Sequence, residues 1–278
     1  MSNLLPIKKI YCDTKFRRSD SKSTSNFKID LPVTLKLPDN CVFYVDDVSI
    51  PYAWHTVETG INDKLYFRLQ LANGGSINDY TITLDSKTYS GTQFAAMIVS
   101  KITAVTSGAA TAGVYDTQSK RMSLSVANLD INFFTDNELK GNFAWSGTAY
   151  NVNNLASANE LLSNEQLPSP VGNTASPAEY YLMLTPIRNI YMRSPNLSSF
   201  NTIGCNGESN IIKKIAVNVP QGEMITSYIT SSTDHLDCSK ATWKTMEVIS
   251  QDVNGNEVNL HNLNWSFSVL LDVSNANI

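Results

Sequence analysis

Charge is scarce in this chain of 278 residues. Asp, Glu, Lys and Arg make up only 17% of it, against roughly 25% in ordinary soluble domains, and Ser, Thr and Asn fill the difference. The net charge is −4, which excludes the strongly basic footprint of a nucleic-acid binder. Histidine is nearly absent: His55, His235 and His261 lie far apart. The four cysteines, Cys12, Cys41, Cys205 and Cys238, are scattered without a CxxC pair. Zinc sites bring their ligands at close spacing, so this pattern points to buried free thiols and away from a metal or any other cofactor. No apolar run approaches the roughly 18 residues of a membrane span. The opening MSNLLPIKKIYCD is too short and too quickly charged for a secretory h-region, so a soluble protein made in the cytoplasm is expected. No internal repeat is visible.

Strand signals are what the chain does have. In SNFKIDL (25–31), Phe27, Ile29 and Leu31 alternate with Asn26, Lys28 and Asp30, the period of a half-buried strand. PDN (38–40) reads as a turn, followed by the long β-branched and aromatic run CVFYVDDVSIP, which Pro51 ends. KLYFRLQL (64–71) reads as a further strand. EYYLMLT, RNIYMR, IIKKIAVNV, EMITSYIT, KTMEVISQ and NWSFSVLLDV continue the pattern after residue 178, and Asn254-Gly255 marks a tight turn. In the last of these runs Trp265, Phe267, Val269 and Leu271 face one way while Ser266, Ser268, Leu270 and Asp272 face the other.

One stretch changes character. Residues 89–105 place Phe94, Met97, Ile98, Ile102 and Val105 at helical spacing, with Ser90 and Gln93 as a capping box and Gly108 beyond the end. A strand before it and a hairpin after it (GVYD, then RMSLSV) complete a small α+β unit. Residues 140–178 are polar and irregular, with one helical turn expected near ANELL. The expected fold is mainly β: a single jelly-roll sandwich of about eight strands with an inserted small α+β upper domain. The expected boundaries are an N-terminal arm at 1–24, the jelly roll at 25–72 plus 186–278, and the insertion at 73–185.

Candidate chemistry is thin. VFYVDDVSIPYAWHTVE gathers Asp46, Asp47, Trp54, His55 and Glu58 within seventeen residues. Adjacent strand residues point to opposite faces, so Asp46 and Asp47 are not expected to act on one proton. His55 has no second histidine near it in sequence, which favours a structural or interfacial role, and Trp54 reads as a packing anchor. DHLDC (234–238) holds Asp234, His235 and Cys238, a weak hydrolase pattern, since catalytic Cys and His usually meet from distant positions. GCNG (204–207) lacks a P-loop's spacing and lysine. Asn196 and Asn264 match glycosylation sequons by chance. Arg17 and Arg18, in KFRRSDSKSTS, stand either on a solvated arm or on one that orders against an acidic partner surface. Trp145, in FAWSGTAY, is the candidate receptor contact.

FKIDLPVTLKLPDNCVFYVDDVSIPYAWHTVE, LDSKTYSGTQFAAMIVSKI, INFFTDNEL, NIYMRSPNLSSFNTIGCNGESNIIKKIAVNVPQGEMI and VISQDVNGNEVNLHNLNWSFSVLLDV stand in an order that resembles the minor capsid, or penton, proteins of virophages and polinton-like viruses. The resemblance spans most of the chain outside 140–178. It implies a single jelly roll forming homopentamers at icosahedral vertices, among trimers of a double-jelly-roll major capsid protein. It implies an outward-facing inserted domain and a place in the virion, with no catalytic residue. A receptor- or carbohydrate-binding β module of a virion spike, recognising a host surface receptor, is the alternative; neither implies a specific nucleic acid or a membrane span.

Overall fold

The computed structural model describes residues 7–71, 77–109, 111–141, 155–164, 172, 177–197, 202–204, 207, 209–228 and 234–272. The chain divides into two compact units, Met1–Trp54 with Ile187–Ile278, and His55–Pro186.

The first unit is built from β1 (Ile7–Asp13), β2 (Asn26–Lys36), β3 (Val42–Pro51), β10 (Asn189–Arg193), β11 (Ile211–Ala216), β12 (Met224–Tyr228), β13 (Leu236–Asp237), β14 (Thr242–Gln251) and β15 (Ser266–Asp272). One sheet runs β1-β15-β3-β12, with β13 also on β3, and the other runs β11-β10-β14-β2. Every pairing is antiparallel. First pairs with last (β1·β15), second with second-last (β2·β14), β3 with β12 and β13, and β10 with β11. An antiparallel ribbon with those partners, closed on itself by β15·β3 and β14·β10, is a jelly roll.

Alternation supplies its core. Phe27, Ile29 and Leu31 of β2, Met246 and Val248 of β14, and Phe267, Val269 and Leu271 of β15 are all buried. Two tryptophans lock the interior edge-on, Trp265 against Phe27 at 5.6 Å and Trp243 against Phe43 at 5.2 Å. Each such ring withdraws enough apolar surface to stabilise the fold by about 1.5–3 kcal/mol.

Residues 7–24 are not a free arm. β1 pairs with β15 from Ile7↔Asp272 to Asp13↔Ser266. Ile10 packs against the core and Cys12 is buried, while Lys9 and Tyr11 take the outward positions. Two lysines in a seven-residue strand make it look solvated, because their aliphatic stems carry charge only at the tip. Thr14 then ties the segment down: its N–H donates to Trp265 O and its hydroxyl accepts Trp265 N–H, both at 2.9 Å. The Trp265 indole N–H donates to Thr24 O at 2.7 Å.

In the second unit a sheet runs β5 (Ile77–Thr83), β4 (Lys64–Leu71), β8 (Leu129–Phe133), β7 (Arg121–Val126), β6 (Thr111–Asp116), with β9 (Ala178–Tyr181) also on β7. Helix α1 (Gly91–Val105) starts with the expected box: Gln93 N–H donates to Ser90 Oγ at 3.3 Å and Ser90 N–H donates to Gln93 Oε1 at 3.0 Å. It buries Phe94, Ala95, Ile98 and Ile102 in the unit's core. Close packing of this helix against β6 depends on Gly113, where an added Cβ would lie 2.6 Å from Val99. A second short helix, α2 (Asp136–Leu139), and a 3-10 turn at Asn159–Leu162 follow, the latter where ANELL predicts one.

Strand β4 departs from the sequence expectation that groups it with the jelly roll. It pairs with β5 and β8 (Phe67↔Tyr80, Phe67↔Phe133) and buries both of its faces. Leu65, Phe67 and Leu69 join the main core of the second unit, and Tyr66 packs with Phe134 and Leu139. Arg68, 4% exposed, is carried by a two-pronged pair to Asp79 at 2.6 and 2.8 Å. The compact second unit therefore starts at His55, ahead of the expected 73.

Candidate functional site

The carboxylates of the 42–58 cluster do share a face, against the alternation rule. The ladder between β3 and β15 slips between Ser268 and Val269, so that Ser268 opposes Asp47 and Val269 opposes Val45. This β-bulge inserts one residue. Inward positions accordingly run Phe43, Val45, then Val48, Ile50, all buried, and both Asp46 and Asp47 turn outward. Lys9 of β1 closes on the pair, hydrogen-bonded to Asp46 and 3.1 Å from Asp47 Oδ2. Ser268 donates its hydroxyl to Asp47. Lys9's own bonds to Asp46 and then Asp47 hold its ammonium above the ordinary value. A lysine clamped between two carboxylates is an ion-pair lock across three strands, with neither acid placed as a free general base.

Trp54, His55 and Glu58 are each engaged in local contacts. Trp54 is 1% exposed and stacks on Tyr52 at 4.3 Å, and its carbonyl accepts from Gln221 at 2.7 Å. The His55 backbone N–H donates to Glu58 Oε1 at 2.8 Å, and Glu58 N–H donates to Asn62 Oδ1 at 2.7 Å, a turn folded on its own side chains.

DHLDC does not assemble a nucleophile. His235 stacks flat on Tyr44 (4.6 Å, 11°), whereas Cys238, three residues on, lies buried in the core, its thiol 3.3 Å from Cys41 O. Burial pushes the Cys238 thiol up, away from the reactive thiolate. Both sequon asparagines are committed to structure. Asn196 donates to Thr245 O at 2.7 Å, and Asn264 Oδ1 accepts from Thr14 and Arg17 at 3.2 Å.

Arg17 and Arg18 are folded onto their own unit. Arg17 donates to Thr14 O at 3.0 Å as well as to Asn264. Arg18 binds Asp20 at 2.9 Å and Asp30 at 3.3 Å, and its hydrogen bond holds the Asp20 carboxyl below its usual range. Trp145 and Cys205 lie outside the described residues.

What the fold does present is an outward sheet face. Register carries one row straight across it: Tyr11 of β1, Ser268 of β15, Asp47 of β3 and Tyr228 of β12. Tyr11 is 77% exposed and Tyr228 66%, one on each lateral strand, with Met224 also exposed on β12. Between them lie the Lys9–Asp46–Asp47 lock, Tyr44 and Leu270. Tyrosine and methionine are enriched in protein–protein interfaces. No signal in the sequence singles out these tyrosines, because the row exists only once four distant strands are in register.

No family model matches the chain, and no curated protein matches it. A solved structure, however, is similar over nearly its whole length. It is that of the mavirus penton protein. The TM-score is 0.52, with 9% sequence identity, covering 96% of this chain and 99% of the mavirus penton protein. At that identity the likeness is one of fold.

Proposed function

We propose that this chain is a structural capsid protein, a single-jelly-roll penton that forms homopentamers at the vertices of an icosahedral virion. In this reading its neighbours in the shell are trimers of a double-jelly-roll major capsid protein, and the 55–186 unit faces outward. The observation that carries it is the shared fold with the mavirus penton protein along almost the entire length of both chains. The sheet face described above supplies the means. A ring closes through heterologous contacts, in which each copy offers two different edges, and β1 with Tyr11 and β12 with Tyr228 are two such edges.

Native mass spectrometry of the purified protein tests this, alone and with the major capsid protein. The expected species holds five chains. Tyr11→Ser and Tyr228→Ser should each release monomers whose thermal unfolding matches the parent, and an equimolar mixture of the two should recover dimers but no rings. Monomers at every concentration with capsid partner present, or a closed two-fold or three-fold assembly, would sink the proposal.

A further inference from the structure

Two of the buried thiols stand opposite each other. β13 pairs with β3 through Leu236↔Phe43 and Asp237↔Val42. One step further along this ladder Cys238 faces Cys41, and the backbone confirms the register: Cys238 N–H donates to Cys41 O at 2.8 Å. Leu236 and Phe43 point into the core, so two residues on, Cys238 and Cys41 point there too, and both are buried. Directly opposed residues of an antiparallel pair have Cα atoms about 4.5–5.5 Å apart, within the range of roughly 4.4–6.8 Å that a disulfide spans. The thiols are near enough that each alters the other's proton affinity. Among the described residues Cys12 has no such partner; its sulfur lies 4.0 Å from the thioether of Met246.

We propose that Cys41 and Cys238 are a latent disulfide pair, a cross-strand staple that closes when the folded protein meets an oxidising disulfide. The reaction is a two-step exchange. One cysteine, as thiolate, attacks a small disulfide, forming a mixed disulfide and expelling one small thiolate. The second cysteine then attacks the protein sulfur of that mixed bond and expels the other. Two electrons pass to the small disulfide, which leaves as two thiols carrying the two cysteine protons. Burial disfavours both thiolates, so the staple forms slowly, through opening of the two-residue strand β13 at the sheet edge, and only then resists reduction. Once closed it fixes β13 to the start of β3 and encloses the whole 55–186 unit in its loop, which constrains the unfolded chain.

The test uses the full-length protein with oxidised glutathione under native conditions, followed by acid quench, alkylation in denaturant, intact mass and peptide mapping. The expected product has lost two hydrogens and yields one linked peptide pair containing Cys41 and Cys238, with Cys12 alkylated. Its melting temperature rises and returns to the starting value with reductant. Cys41→Ser and Cys238→Ser should each abolish both changes, and Cys12→Ser neither. The unsubstituted protein decides the matter even where a variant folds poorly. Full alkylation of Cys41 and Cys238 after prolonged oxidation, a stable glutathione adduct as end product, or a bridge to Cys12 or Cys205 would overturn the proposal.

Discussion

Replacing Thr14 by valine tests the clasp between the start of the chain and its last strand. Thr14 is fully buried. Its hydroxyl accepts the Trp265 N–H at 2.9 Å and donates to Asn264 Oδ1 at 3.2 Å. Valine keeps the shape and removes both bonds, leaving a buried backbone donor unpaired. Such a group costs about 1–3 kcal/mol, so roughly 2 kcal/mol is expected here. Thr14→Ser keeps the hydroxyl and loses one methyl, at about 0.8 kcal/mol. For a unit of this size 2 kcal/mol lowers the midpoint by roughly 4–8 °C. The readout must follow one unit, because two compact units need not unfold together. Trp54, Trp243 and Trp265 are buried in the jelly roll, so with Trp145 of the other unit replaced by Phe in every variant, tryptophan fluorescence during urea or thermal unfolding reports on it. If Thr14→Ser costs as much as Thr14→Val, the hydroxyl is not what holds the clasp, and if neither shifts the transition, the clasp contributes nothing to stability.

Two further outcomes follow from local geometry. Gly113→Ala should destabilise the 55–186 unit by about 1–3 kcal/mol, since the new methyl lies 2.6 Å from Val99 on a helix that gives its β-branched side chain little freedom. Adding Val99→Ala should recover much of the loss, as differential scanning calorimetry would record. Lys9→Met should destabilise the jelly roll by leaving Asp46 and Asp47 side by side without their cation. Because the Lys9 ammonium is held above its ordinary value, its contribution is complete below about pH 10 and fades only as the solution becomes strongly alkaline. The difference between parent and Lys9→Met in denaturant titrations should therefore be flat from about pH 7 to 9; a difference that collapses within that window would refute the ion-pair lock.

Much of the architecture is legible locally. The capping box at Ser90 and Gln93, the hairpin of β6 and β7, and the alternation of β15 are each written within a dozen residues and survive folding unchanged. What is not legible depends on partners. β4 looks like any jelly-roll strand until Phe67 is placed against Phe133, although its buried Arg68 and near-continuous apolar run mark a strand covered on both faces. β1 hides behind Lys8 and Lys9. The bulge leaves a trace that can be read in hindsight: Val45 and Val48 are three apart, an odd step in a strand whose inward residues are otherwise two apart. The alternation rule fails at Asp46–Asp47 for that reason, and the lock to Lys9 could not be foreseen without it. The lateral tyrosines are less visible still, since exposure on a lateral strand is a property of the assembled sheet.

The pairing of β1 with β15 has a consequence for synthesis. Ile7 meets Asp272, and at roughly 5–20 residues per second a ribosome needs on the order of 13 to 50 seconds to deliver the second after the first. The 55–186 segment, whose strands pair among themselves, is translated well before then and can settle on its own. β1, β2 and β3 meanwhile wait with bare hydrogen-bonding edges, and a nascent chain halted before β15 is left with a ribbon that has nothing to roll onto.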